Sequence, residues 1–432
     1  MPKKPVDPTI QKIHSRMRSG GKWLTGSGIK GSIFDNPNNS EYVLSLGSLD
    51  DATPLTFSKD GSLFTLGPAG SGKTQSLVLP NLLKWPGPAI VLDVKDELYE
   101  LTAGYRAQTF GPVYKFDVRD PKTHQFNPFE FLGTSLADIW DNSGFLAKML
   151  VNPRASRLDF WEGNARNVIQ AILISMGVLK LDADEDEDKN CPEMTFDTLL
   201  DALASRAELT ELIDTLHEGH QPGQFRRLYK NIDDNLLQPE ALRGDRVLGH
   251  VLTTASASLQ ELGGIRTVQA TSGTDWTPYG LRRDNATLYI VLDAGAIEDY
   301  VPLLRILLGI HLRAYLQITD ADAKKLAPIL LMVDELPQLG HMGPIEQGLD
   351  LGRSKGIKIW GFAQKLIRIQ ESYSDAGGFI GSFRAQIFLD PPSMDNTAQL
   401  VSNMLGTTDD LSTGGKRPVA EPAELTGEEF RD

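Results

Sequence analysis

SLFTLGPAGSGKTQSLVLPNLL, Ser62 to Leu83, is the stretch whose reading decides the fold. An apolar run enters a glycine-rich turn, and a second apolar run leaves it. Between them, Gly67-Pro-Ala-Gly-Ser-Gly-Lys-Thr74 satisfies G-x-x-x-x-G-K-[ST] in the strand-loop-helix setting that motif requires. Glycines let backbone amides turn inward into an anion-binding nest, and the following helix adds partial positive charge at its N-terminus. In such a loop Lys73 reaches the β and γ phosphates of a nucleotide, and the Thr74 hydroxyl takes a position on Mg²⁺. Gly67, Pro68, Ala69, Gly70, Ser71, Gly72, Lys73, Thr74 and Gln75 are therefore the candidate nucleotide-binding residues, with ATP and Mg²⁺ as the expected ligands.

Outward from the loop, the patterning extends the same fold. EYVLSLGS and SLFTL read as strands before the loop, and TQSLVLPNLLKW reads as the helix after it, stopped by PGP. AIVLDV, Ala89 to Val94, is a short continuous apolar run of the kind a parallel sheet covers on both faces. PVYKFDV reads as another strand. Strand, helix, strand in this order is a βαβ unit and predicts a doubly wound α/β core.

From about Ser135 to Asp275 the texture becomes helical, in LADIWDNSGFLAKML, FWEGNARNVIQAILISMGVL, FDTLLDALA, AELTELIDTL and HVLTTASASLQEL. The acidic run DADEDEDKN, Asp182 to Asn190, reads as a surface loop. Strand patterns return with TLYIVLD, PILLMVDE, GIKIWGFAQ and AQIFLD. The expected organisation is a basic leader and linker over 1–45, an α/β domain in two pieces, 46–134 and 276–432, and an all-α domain over 135–275 inserted between them.

The phosphate loop needs a partner motif, and ILLMVDELPQLG supplies it. Asp334 falls at the carboxyl end of an apolar strand, where ligands gather in open α/β sheets, and is placed to hold the Mg²⁺ shell. Glu335 follows and is placed to polarise an attacking water. Gln364, ending KIWGFAQ, is expected on a neighbouring strand as a sensor of the γ-phosphate, against the plainer reading of an exposed loop amide. Arg353 in LGRSKGIK and Arg384 in GSFRAQIF are candidates to reach the nucleotide of a neighbouring subunit, and a plain surface arginine is the other reading of each. Asp93, Lys95 and Glu97 in VLDVKDELYE fall past a strand end on the same crevice, or form a local ion pair.

Composition bounds the rest. With 432 residues, 41% of them apolar, the chain is long enough for two or three domains with a sizeable core. Its one cysteine, Cys191, excludes an intramolecular disulfide framework and a cysteine-rich zinc site. His217 to His220, HEGH, lacks the spacing that puts two metal ligands on one helix face and reads as a solvated turn. No apolar segment reaches the length of a membrane span, so the chain is expected to be soluble. The formal charge of −14 argues against a surface coated for nucleic acid. Residues 1–30 nevertheless carry seven basic residues (Lys3, Lys4, Lys12, Arg16, Arg18, Lys22, Lys30) against Asp7, so that segment is +6 and the remainder −20. Such an arm suits anionic lipid or nucleic acid, or is a plain flexible leader.

Taken together, GPAGSGKTQSLVLPNLLKWPGPAIVLDVKDELYELTAGYRA, FNPFEF, LMVDELPQLGHMGPIEQGLDLGRSKGIKIWGFAQ and DNTAQLVSNMLG resemble the coupling proteins of type IV secretion systems, the conjugative DNA-transfer ATPases. The resemblance runs from about Gly20 to about Leu425. It implies a RecA-like nucleotide-binding domain interrupted by an all-α domain that recognises cargo. It also implies a hexameric ring that uses ATP to deliver DNA, a relaxase-DNA complex or protein effectors into a secretion channel with the other components of that system. By motif, Lys73 and Thr74 would bind nucleotide and Mg²⁺, Asp334 and Glu335 would form the second nucleotide motif, Gln364 the sensor, and Arg353 the finger.

Typical members begin with transmembrane helices, which this sequence lacks, and continue further past RPVAEPAELTGEEFRD. The expected location is therefore cytoplasmic, with peripheral contact at the inner membrane through residues 1–30, unless the chain has been trimmed. Two other readings stand beside this one: a DNA pump of the FtsK or HerA kind, which lacks such a helical insertion, and a nucleotide-binding adaptor that does not hydrolyse.

Overall fold

The computed structural model of the chain describes residues 29, 32–36, 40–50, 53–151, 159–186, 191–216, 222–237, 244–292, 295–390, 396–409 and 416–425. The basic residues of the leader and the HEGH turn lie outside the described residues. Strands β1 (Leu44–Asp50) and β2 (Thr53–Phe57) form an antiparallel hairpin. The buried Asn81 side chain ties it to the core by accepting from the Ser45 amide at 2.6 Å and donating to the Ser45 carbonyl at 2.7 Å.

The main sheet has seven strands: β3 (Leu63–Leu66), β4 (Ala89–Asp93), β5 (Val113–Phe116), β6 (Thr287–Val291), β7 (Ile329–Val333), β8 (Ile357–Ala363) and β9 (Ala385–Phe388). Their spatial order is β5-β6-β4-β7-β8-β3-β9, and every pairing is parallel. The continuous apolar runs are explained by burial on both faces. In β4, Ile90 and Leu92 enter one core and Ala89 and Val91 the other, and in β7 Ile329, Leu331 and Val333 oppose Leu330 and Met332. The period of two is thus present but invisible in composition, because both faces are apolar.

One face is covered by the hairpin and by the helices Leu79–Lys84 and Glu97–Thr109. The other is covered by the long helix Ile297–Gln317 and, continuous with it, the helices inserted between β5 and β6. Among these, Leu136–Leu150 and Phe160–Glu185 pack on each other and the first also on Ile297–Gln317. The helix Phe160–Glu185 starts at a full capping box, in which Glu162 N donates to Asp159 Oδ1 at 2.7 Å and Asp159 N to Glu162 Oε2 at 3.1 Å. Its centre, Val168 to Val178, is buried almost all round, the mark of a helix at the middle of a bundle.

The acidic run departs from the expectation of a loop. Asp182 to Glu185 form the last turn of that helix, with Asp186 N bonded to Asp182 O at 3.1 Å and Lys180 paired with Asp184 at 3.5 Å. A high density of charge specifies exposure, and an established helix of strong formers carries its exposed end onward without apolar residues. Residues 187–190 of the run lie outside the described residues. Among the described residues, no helix is long and apolar enough to cross a membrane.

Candidate active site

Three neighbouring strands, β7, β8 and β3, point their carboxyl ends the same way, so the segments that follow them share one crevice. After β3 comes the loop Gly67 to Lys73. Its entry is fixed by Gly67 N donating to Ala363 O at 3.1 Å, at the end of β8. Gly70 and Gly72 take φ of +83° and +82°, a region residues with a Cβ enter only under strain. Ala69, Gly70 and Gln75 are exposed, whereas Lys73 and Thr74 are half-buried. The chain then makes a wide turn over Thr74–Val78 and continues as the helix Leu79–Lys84.

The Lys73 ammonium folds back over this loop, donating to Gly67 O at 2.5 Å and to Pro68 O at 2.8 Å. Burial pushes its pKa below the usual lysine value, while Asp334 and Glu335 act against that and Lys95 adds to it. Those mutual influences place the loop's cation and the two carboxylates within one electrostatic neighbourhood.

After β7 come Asp334 and Glu335. Glu335 is only 8% exposed and holds φ +53°, ψ +45°, a left-handed conformation costing a glutamate about 1–3 kcal/mol. Its backbone opens a tight turn, Leu336–Leu339, in which Gln338 N donates to Glu335 O at 2.9 Å. The Asp334 carboxylate accepts from the Glu335 amide at 3.1 Å. Burial raises the pKa of both acids; Lys95 and then the Glu335 amide oppose this at Asp334, and Gln364 opposes it most at Glu335.

After β8 comes Gln364, between the other two segments. Its Nε2 donates to Glu335 Oε2 at 2.6 Å, a charge-assisted bond that also aims the carboxylate. The crevice thus holds, side by side, a glycine loop with its lysine, an oriented carboxylate and a second acid.

The remaining sequence candidates divide. Asp93, 1% exposed at the end of β4, turns inward to accept from Tyr99 N at 2.9 Å and Lys95 N at 3.3 Å, so it caps the helix Glu97–Thr109. Lys95 is exposed and lends its charge to the crevice. Arg353 and Arg384 sit at the opposite edge of the sheet. Arg353 precedes β8 and lies 4.0 Å from Asp60, which precedes β3, and Arg384 N donates to Ser62 O at 2.9 Å. Both residues thus precede their strands, β8 and β9, whereas the loop follows β3.

Sequence reading passed over three buried arginines among the described residues, Arg106, Arg282 and Arg305. Arg106 donates to Leu82 O, Trp85 O, Gly87 O and Thr287 Oγ1, and Arg305 to Met149 O, Leu339 O and His341 O. For Arg305 a signal existed: PLLRILLGI sets an arginine inside a run of apolar residues.

A parallel sheet carrying a phosphate loop and an acidic pair at the carboxyl ends of two strands that flank a third, with a helical insert, defines the class: an α/β nucleotide-binding fold. Within it the chain belongs to the type IV secretory system conjugative DNA transfer family, whose family model matches residues 27–413, and so with the type IV secretion coupling proteins. It is similar to Protein VirD4 of Rhizobium radiobacter, 26% identical over 405 residues, covering 90% of this chain and 53% of that protein. Conjugal transfer protein TraG of Escherichia coli is 25% identical over 393 residues, covering 84% of this chain and 60% of the relative. The chain spans about half the length of the curated relatives it matches. Among solved structures, the plasmid coupling protein TrwB with the ATP analogue ADPNP gives a TM-score of 0.70 at 16% identity, covering 95% of this chain and 89% of that one. TrwB with ADP and Mg²⁺ gives 0.68 at 16% identity over the same shares. Both match the α/β fold and its helical insert.

Proposed function

We propose that the chain is the ATP-hydrolysing part of a coupling protein that drives DNA, a relaxase-DNA complex or protein cargo into a type IV secretion or conjugation channel. The carrying observation is the Gln364 to Glu335 bond beside the Lys73 loop, because it orients a buried carboxylate where an attacking water would stand. The names of the similar proteins, VirD4, TraG and TrwB, support the setting.

In this reading backbone amides between Ala69 and Thr74 hold the phosphates and Lys73 exchanges its two carbonyl partners for phosphate oxygens. Glu335, its pKa raised by burial, accepts a proton from water. Gln364 holds that carboxylate in place. Among the described residues no cluster of His, Cys, Asp and Glu is arranged to hold a metal by itself. The oxygen donors of Thr74 and Asp334 suit Mg²⁺ with phosphate and water completing its shell, where it would neutralise charge on the β and γ phosphates. Arg353 then serves the loop of the next copy in a hexameric ring, with the division at 135 and 275 separating motor from cargo-reading helices. Residues 1–30 would give peripheral contact at the cytoplasmic face of the inner membrane.

The test is steady-state phosphate release over a protein concentration series, with and without single- and double-stranded DNA. Turnover per chain that rises with concentration and with DNA supports a shared-site ring motor. Tight nucleotide binding with no release moves the function to a non-hydrolysing adaptor.

A further inference from the structure

We infer that Arg305 is a positioning residue for the hydrolytic carboxylates and carries their state to the helical insert. The inference rests on the reading of the crevice as a nucleotide site. Arg305 lies on the helix Ile297–Gln317 and is 2% exposed. Its Nη1 donates to Leu339 O at 2.7 Å and to His341 O at 2.8 Å, and its Nε donates to Met149 O at 3.0 Å. All three partners are backbone carbonyls. The guanidinium therefore joins two pieces of main chain.

The first piece is the turn that Glu335 opens. Bonds from Gln338 N to Glu335 O and from Gly340 N to Pro337 O close it into a rigid unit, at 2.9 and 3.0 Å. Glu335 holds its left-handed backbone at one end, and Arg305 grips the other at Leu339 and His341. Such a backbone persists only where its surroundings over-determine it, and the two bonds on Nη1 are part of what does so.

The second piece is the carboxyl end of the insert helix Leu136–Leu150. Carbonyls there lack partners within the helix, and the end carries partial negative charge, so a guanidinium is a natural cap. Arg166, on the neighbouring helix Phe160–Glu185, grips the carbonyl two residues on, Val151 O, through Nε at 2.9 Å and Nη2 at 2.8 Å. The two arginines cap one helix end with different reach. Arg166 binds it to the rest of the insert, whereas Arg305 binds it to the turn after Glu335. Because the guanidinium fork is planar and pre-organised, a displacement of that turn as Glu335 re-aims at a bound nucleotide is passed to Met149.

The experiment is amide hydrogen exchange on the full chain, free and with Mg²⁺ and a non-hydrolysable ATP analogue, read at residues 67–78, 335–341 and 145–151. In the native chain exchange slows at all three. Arg305→Lys keeps a buried cation but loses the fork: the loop is still protected, the response at 145–151 disappears, and kcat falls about tenfold to a hundredfold with nucleotide affinity held. Arg166→Lys, which disturbs the same helix end, keeps the response and kcat. A response at 145–151 that survives Arg305→Lys, or is lost equally in Arg166→Lys, overturns the inference. If Arg305→Lys does not fold, the native chain still decides, because protection at 67–78 without change at 145–151 overturns the link alone. No protection at 67–78 refutes the nucleotide reading, and the link with it.

Discussion

Replacing Gln364 by leucine removes one hydrogen bond from the crevice while nearly keeping its volume. The amide donates to Glu335 Oε2 at 2.6 Å, and the glutamate is 8% exposed, so water replaces the lost donor poorly. A hydrogen bond to a charged group is worth about 1.5–3 kcal/mol. If the bond is held through the transition state, its loss slows hydrolysis by roughly 10- to 150-fold, at about 1.4 kcal/mol per factor of ten. Nucleotide affinity should be unchanged, because Gln364 binds the carboxylate and the phosphates are held by the loop. The pH profile adds a sign. Burial already raises the Glu335 pKa and Gln364 is the largest influence lowering it, so the variant's acid limb moves to higher pH. Steady-state kinetics from pH roughly 5 to 9 read both effects. A fall in kcat below about threefold, or an acid limb moved to lower pH, would refute the assignment of Gln364 as the residue that aims Glu335.

Three further outcomes follow from the structure. Gly72→Ala puts a Cβ at φ +82° with nothing nearer than Ser76 Oγ at 4.0 Å, so its cost is backbone strain of about 1–2 kcal/mol; nucleotide titration should show affinity down about tenfold, and unchanged affinity contradicts the nest. Arg106→Leu leaves the carbonyls of Leu82, Trp85 and Gly87 without their donor and should lower stability to urea by about 3 kcal/mol or more, whereas a loss below about 1 kcal/mol would deny it a structural role. His311 is wholly buried, accepts from Trp276 Nε1 at 3.1 Å and donates to Leu307 O at 2.6 Å, and burial pushes its pKa down from 6.5 to about 4. The unfolded chain therefore binds the proton first as pH falls, so about 3 kcal/mol of stability present above pH 6.5 is lost toward pH 4, and His311→Gln should flatten that slope in urea titrations.

The sheet was legible because its strands are short apolar runs bounded by turn residues, and the loop because only glycine-rich sequence makes that nest. Asp334, Glu335 and Gln364 could be placed together because each ends such a run, and parallel strands end on one side. Other features had no local signal. That Arg353 and Arg384 lie on the far edge depends on strand direction and order, which no short motif encodes. EYVLSLGS read as a strand yet belongs to a separate hairpin, since periodicity shows that a strand exists without naming its partner. The acidic run was misread because charge reports exposure and the helix entering it was set by residues upstream. Arg106 resembles any surface arginine until its backbone carbonyl partners, remote in sequence, are seen, and the apolar run around Arg305 signals burial without naming the carbonyls it binds.

Hydrolysis of ATP in this crevice through Lys73 and Glu335, as proposed, is tested by measuring phosphate release and nucleotide binding together in the native chain, Lys73→Ala and Glu335→Gln. Release is expected from the native chain alone, with Glu335→Gln still binding nucleotide and Lys73→Ala binding it far more weakly. Release that survives in Glu335→Gln would contradict the proposed hydrolysis, as would a native chain that binds ATP at high concentration, with DNA, and never releases phosphate.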